Sequence, residues 1–189
     1  GTGNSAIHDG STVAGGGGNT VAGVYATIAG GEVNTGAGWW SSIAGGKDNI
    51  ASGYFSTVAG GANNAATEYW SFAAGRHARA QHVGSFVWGD SYDTDVISSA
   101  SDQFTVRASG GVRFFTDAFL STGVTLAPGG GSWGTVSDRN AKENVKPVSG
   151  EELLSKLSEI SISEWNYISQ NDSIRHIGPM AQDFYAAFG

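Results

Sequence analysis

The chain has no cysteine, three prolines and one methionine in 189 residues, and only 14% of its residues are charged. Without cysteine it has neither a disulfide framework nor a thiolate metal site, which leaves the redox compartment open. Ten Lys and Arg stand against 17 Asp and Glu, for a net charge of −7. Between positions 11 and 75 the only basic residue is Lys47. No basic stripe exists to neutralise phosphates, so neither nucleic acid nor an anionic membrane surface is an expected partner. No apolar run reaches the ~18 residues of a membrane span, and no signal-like start is present, so membrane insertion is not expected. The first residue is Gly rather than Met, as in a trimmed or subcloned fragment. Paired acids in fixed columns are also missing, and His8, His77, His82 and His176 are scattered without ligand spacing. The "GGGGN" at 15–19 lacks the Lys-Ser/Thr of a phosphate-cradling loop. Neither a metal, nor a cofactor, nor an enzyme acting on an external substrate is expected.

What the chain has in excess is glycine, 30 residues, about twice the usual share. Much of it belongs to a repeat. "STVAGG" at 11–16 returns as "ATIAGG" at 26–31, "SSIAGG" at 41–46 and "STVAGG" at 56–61, then as "SFAAGR" at 71–76 and "SFVWGD" at 85–90. Other columns keep step. Asn4, Asn19, Asn34, Asn49 and Asn64 form one, with Arg79 in the last place; Val13, Ile28, Ile43, Val58 and Ala73 form a second; Tyr25, Trp40, Phe55 and Trp70 form a third.

Fifteen residues cannot form a helix pair or an independent domain, so each unit must bury its apolar face on its neighbours. The alternation around the branched residue has the period of a short strand. The expected fold is mainly β: a parallel β-roll or solenoid of 15-residue coils, homotrimeric, followed by a small α+β C-terminal segment. Coils stacked about 4.8 Å apart place identical residues above one another. Paired glycines at 15–16, 30–31, 45–46 and 60–61 are expected to supply positive φ at a corner. The asparagine column is read as turn chemistry at the other corner or as an internal amide ladder, rather than as a ligand contact. A core of Ala, Val and Ile is too narrow for Trp40 or Trp70. The aromatic stripe is therefore expected to be covered by another copy of the same rod. The alternative is an adhesive or glycan-binding stripe, with Trp39, Tyr54 and Tyr69 stacking on sugars. An ice-binding reading of Thr12, Thr27 and Thr57 is weaker, because Ser42 interrupts the column and no second threonine column accompanies it.

The phrase "SxxAGGxxNxAxGxxS" over positions 4–90 resembles the head repeats of trimeric autotransporter adhesins and is similar to repeats in bacterial and phage tail-fibre-like proteins. That resemblance implies a left-handed roll with three chains side by side. Positions 91–134 lose the repeat. "QFTVRA" at 103–108 and "GVRFFT" at 111–116 are strand-like and are expected to form a hairpin or two interchain strands, with Arg107 and Arg113 as surface or interchain ion-pair partners; "LAPGGGSWG" at 126–134 reads as a linker. The expected domains are thus solenoid 1–90, neck and linker 91–134, and a C-terminal segment 135–189.

In that last segment "SGEELLSKLSEI" at 149–160 predicts a helix, with Ser149 and Glu152 as a capping box and Leu153, Leu154, Leu157 and Ile160 on one face. "SISEWNYI" at 161–168 reads as a strand, and Pro179 as the first turn of a second helix carrying Met180, Phe184 and Phe188 on one side. "SDRNAKEN" from 137 and "HIGPMAQDF" from 176 resemble two signatures of the intramolecular chaperone of endosialidases and phage tail spikes. The resemblance implies a trimerising domain that in many members cuts itself off. It makes Ser137 the nucleophile and Lys142 its base, with scission between Val136 and Ser137, and it leaves Asp138 to orient the loop and His176 as a helper. It also implies a longer C-terminal helical extension than the sequence carries, so the segment is expected to be incomplete. The implied function is a structural fibre segment, extracellular or on a virion tail, whose partner is itself; a cell-surface glycan or receptor is the alternative partner. The "NDS" at 171–173 matches a glycosylation acceptor and is read as chance in a bacterial or viral protein.

Overall fold

A computed structural model of the chain describes residues 1–137 and 139–189. Two compact units divide it, Gly1–Val136 and Ser137–Gly189.

The first unit is a parallel β-solenoid. Each coil contributes one short strand to each of two seven-stranded sheets. One sheet runs from Thr12–Val13 through Thr27–Ile28, Ser42–Ile43, Thr57–Ala62, Phe72–Arg76 and Phe86–Gly89 to Phe104–Arg107. The other runs from Ser5–Ala6 to Val96–Ile97. Register follows the sequence repeat, with Thr12 opposite Thr27, Thr27 opposite Ser42 and Ser42 opposite Thr57. The branched column points inward: Ile28, Ile43, Val58 and Val87 are buried, as are Val21, Ala51 and Ala66 from the facing sheet. The gap between the sheets is only wide enough for such residues, as the sequence predicts.

The asparagines do something the corner reading did not foresee. None of the column asparagines lies in the left-handed region; Asn19, Asn34, Asn49 and Asn64 are fully buried. The Asn34 amide donates to the Gly30 carbonyl at 3.1 Å within its own coil and to the Gly46 carbonyl at 2.8 Å in the next. Its Oδ1 accepts the Asn49 backbone N–H at 3.0 Å. Asn19, Asn49 and Asn64 repeat the pattern. Each side chain therefore satisfies buried backbone groups of its own coil and the following one. Glycine supplies the carbonyls for a steric reason: at Gly31, φ is 93° and a Cβ would collide with the Gly46 carbonyl oxygen.

Gly16, Gly31, Gly46 and Gly61 take the positive φ expected of the glycine pairs, and among other residues left-handed backbone falls on two further columns. Tyr25, Trp40, Phe55 and Trp70 have φ of 55–57°, and Val33, Asp48 and Asn63 have φ of 54–57°. Bulky residues there are strained, at roughly 1–2 kcal/mol each. Every one of these corner N–H groups donates to the preceding coil, Trp40 to the Val24 carbonyl and Val33 to the Gly17 carbonyl at 3.0 Å. Inter-coil bonding holds the corner in place.

The solenoid outlasts the sequence repeat. Val96–Ile97 and Phe104–Arg107 extend both sheets in parallel, so "QFTVRA" forms no hairpin with "GVRFFT". That pairing goes to Val112–Phe115 and Thr122–Leu126, antiparallel, with Trp133–Ser137 as third strand. The spacing shift hides the last coil: Phe72 pairs with Phe86, but Phe86 pairs with Phe104 across an inserted loop. Where Arg79 replaces asparagine, ion pairs take over from the amide ladder. Arg107 donates to Asp90 and the Thr94 carbonyl, both at 2.7 Å; Arg79 meets Asp95 at 3.1 Å and Arg76 meets Asp93 at 2.9 Å. Arg113 lies over the Phe115 ring at 4.6 Å.

The second unit is a small α+β element. Helix α1 (Gly150–Glu159) is capped by the Ser149 hydroxyl, which accepts the Glu152 N–H. Ile162–Trp165 pairs antiparallel with His176–Pro179, and helix α2 (Ala181–Phe188) follows. Pro179 closes a strand, and the helix begins beyond it with Met180 at the cap.

Two outcomes follow. Asn49→Ala leaves the Gly45 carbonyl and the buried Asn64 N–H without their side-chain partner, while the Gly61 carbonyl keeps the Lys47 N–H, and should cost on the order of 3 kcal/mol in denaturant unfolding. Asp90 is held well below the usual carboxylate range, first by the Ser109 backbone N–H and then by Arg107. A depressed folded value stabilises above the unfolded value of about 4 and is lost as pH falls below it. Hydrogen-exchange protection factors over 90–109, taken against the intrinsic rate at each pH, should therefore fall in acid, and Asp90→Asn should remove that pH dependence.

Candidate functional site

Two features stand apart from the packing of the coils. One is aromatic. The left-handed column Tyr25–Trp40–Phe55–Trp70 is stacked, with centroids 6.1, 5.0 and 6.3 Å apart. Directly beside it, Trp39 stacks on Tyr54 at 5.5 Å, and Tyr54 meets Tyr69 edge-on at 5.1 Å. Trp39–Trp40 and Tyr69–Trp70, each 5.7 Å apart, join the columns. Sequence spacing separates a seam column from a sugar column; the structure merges them into one seven-ring patch along a single corner. All seven rings are exposed in a single chain, Trp70 at 63%. A second stack, Phe72–Phe86–Phe104, runs along the outer face of one sheet with centroids 4.7 and 4.8 Å apart.

The other feature is the junction at the second unit. Ser137 ends the strand Trp133–Ser137, and a single 3-10 turn, Arg139–Ala141, separates it from Lys142. The Lys142 N–H donates to the Arg139 carbonyl at 3.2 Å, and Lys142 is exposed in the single chain. Asp138 and the side chain of Ser137 lie outside the described residues. The turn keeps Ser137 and Lys142 on one short segment. His176 belongs to different surroundings: its Nε2 lies 2.8 Å from Gln170 Oε1, its ring stacks on Trp165 at 4.6 Å, and Tyr167 packs edge-on at 5.5 Å. That aromatic clamp gives His176 a packing role in the hairpin. The strand read over 161–168 spans Ile162–Trp165, and Tyr167 reaches His176 from the loop beyond it. Among the described residues no group of three acidic or histidine side chains is placed to hold a metal ion, and no helix is long and apolar enough to cross a membrane.

The decisive comparison concerns the unit that opens at Ser137. Residues 137–189 match the family described as chaperone of endosialidase. The match begins at the first residue of the second compact unit. No curated protein and no solved structure matches the chain. The matched segment carries the "SDRNAKEN" stretch at its opening and the "HIGPMAQDF" stretch in its second strand and helix. Its hairpin should depend on the clamp: His176→Ala is expected to destabilise the segment by about 1 kcal/mol, read as earlier thermal loss of the Trp165 near-ultraviolet signal.

Proposed function

We propose that this chain is a structural segment of a homotrimeric fibre of tail-fibre or surface type, in which the chaperone segment brings three copies into register and then severs itself. The observation that carries the proposal is a missing core. Among the described residues of the second unit none is buried. Yet Leu154 is 68% exposed, Ile162 62%, Ile177 74% and Tyr185 72%. Capped helices and a paired hairpin presenting that much apolar surface need a partner, and copies of the same segment are complementary in chemistry to it. The Tyr25–Trp40–Phe55–Trp70 column and the Phe72–Phe86–Phe104 stack on the solenoid ask for the same cover.

Assembly also supplies the chemistry. Three chains must find a common register before long-range parallel stacking can propagate, and a compact trimerising domain raises their effective concentration. Lysine serves as a base only when burial or a cationic neighbour favours its neutral form. Lys142, exposed in one chain, gains such surroundings from neighbouring copies, so cleavage follows assembly. The Ser137 hydroxyl loses its proton to the Lys142 amine and its oxygen attacks the Val136 carbonyl carbon. The Val136–Ser137 C–N bond breaks, and the leaving Ser137 amine takes a proton back from Lys142. Water then hydrolyses the ester, leaving a Val136 carboxylate and a free Ser137 hydroxyl. Loss of the chaperone makes the assembled fibre kinetically trapped.

Light scattering should return three times the mass of one chain, and Leu154→Asp should lower it toward a single chain; a wild-type monomer contradicts the assembly. Intact mass under denaturing conditions should show a product ending at Val136 that Ser137→Ala lacks. Full-length mass in both leaves the segment a retained trimerisation cap.

A further inference from the structure

In a solenoid built on its own repeat, a place where adjacent columns change together without a packing reason is informative. Such a place is Thr67–Tyr69. The column Gly23, Gly38, Gly53 becomes Glu68, and the column Ala22, Ala37, Ser52 becomes Thr67. In the next column the rings leave their parallel stacking: Trp39 and Tyr54 are 5° apart in plane, whereas Tyr54 and Tyr69 are 84° apart. Between those last two rings a cleft of about 210 Å³ opens, lined also by Ser52, Gly53, Thr67 and Glu68.

The cleft is anchored below and open above. The Glu68 carbonyl accepts the Ser71 hydroxyl at 2.7 Å and the Ser71 N–H at 3.2 Å, which ties its backbone to the corner. Its carboxylate is exposed and makes no hydrogen bond or ion pair among the described residues. Gly53 leaves bare backbone at the floor, because a Cβ there would collide with the Glu68 carbonyl. Two aromatic surfaces, two hydroxyls and an acceptor-only carboxylate thus converge on one small volume.

We propose that this cleft is a binding subsite for an uncharged pyranose. The C–H face of a sugar ring packs on an aromatic side chain, and its hydroxyls donate to carboxylate oxygens and exchange hydrogen bonds with Ser and Thr. An anionic sugar is rejected, because Glu68 repels it and the one basic residue of these coils, Lys47, is paired with Glu32 at 3.0 Å. All six lining residues come from one chain, so the subsite needs no residue from a second copy.

The test is an array of neutral and sialylated oligosaccharides probed with the full chain, its Tyr69→Ala variant and Glu68→Gly, which restores the residue of the preceding coils and so keeps the fold. Wild-type protein should be retained on neutral oligosaccharides, and each variant should bind them at least tenfold more weakly, with unchanged circular dichroism and light-scattering mass. Retention of no neutral oligosaccharide, preference for sialylated ones, or equal binding by Glu68→Gly overturns the assignment. A changed mass in Glu68→Gly also overturns it, by assigning the cleft to a contact between copies.

Discussion

The buried asparagine amide is the interaction on which the solenoid depends. A coil of this size has only a thin seam of Ala, Val and Ile to bury, and its corners leave backbone carbonyls and N–H groups inside, away from water. Each asparagine satisfies two glycine carbonyls, in its own coil and the next, and accepts the following asparagine's N–H. A buried polar group left unpaired costs about as much as a buried methyl cluster gains, so a fully paired row converts a liability into register. It also explains the glycines, whose carbonyls are the acceptors and whose missing Cβ atoms let successive coils approach.

Other features follow from that constraint. Since the amide ladder fixes one side of every coil, the corners must close wherever the remaining residues permit, even with Val33 or Trp40 in left-handed backbone. The ladder ends at Asn64, whose Oδ1 accepts the Ala78 N–H. Beyond it, the Arg76, Arg79 and Arg107 pairs with Asp93, Asp95 and Asp90 hold the last coils through charge-assisted bonds that tolerate an inserted loop. The solenoid can therefore leave its strict repeat without losing its sheets.

Much of this was legible in the sequence because repetition is a direct record of stacking. The two sheets, the inward branched column and the exclusion of tryptophan from the core all follow from spacing and side-chain size. Spacing does not say on which side of the backbone a column lies, so the asparagines, predicted as ladder or corner, resolve only when Gly30 and Gly46 are seen around Asn34. Nor does it reveal the coil after Phe86, where the step lengthens to reach Phe104. In the segment from Ser137 the helix cap at Ser149 was readable locally. The enclosure of His176 by Trp165, Tyr167 and Gln170 was not, because it is made between one strand and residues of the other strand and of the loop that joins them.

The two units differ in what holds them. The solenoid buries a seam of Ala, Val and Ile between its sheets, whereas among the described residues from Ser137 onward none is buried. The measurement that tests the ladder most directly is hydrogen exchange resolved to single amides at Asn34, Asn49 and Asn64. The account predicts that these N–H groups, each bonded to the preceding asparagine's Oδ1, exchange as slowly as the sheet amides of Ile28 and Ile43, and that the Asn64 N–H becomes fast in Asn49→Ala. Rapid exchange at those three positions in the unaltered chain, with the sheets still protected, would contradict it.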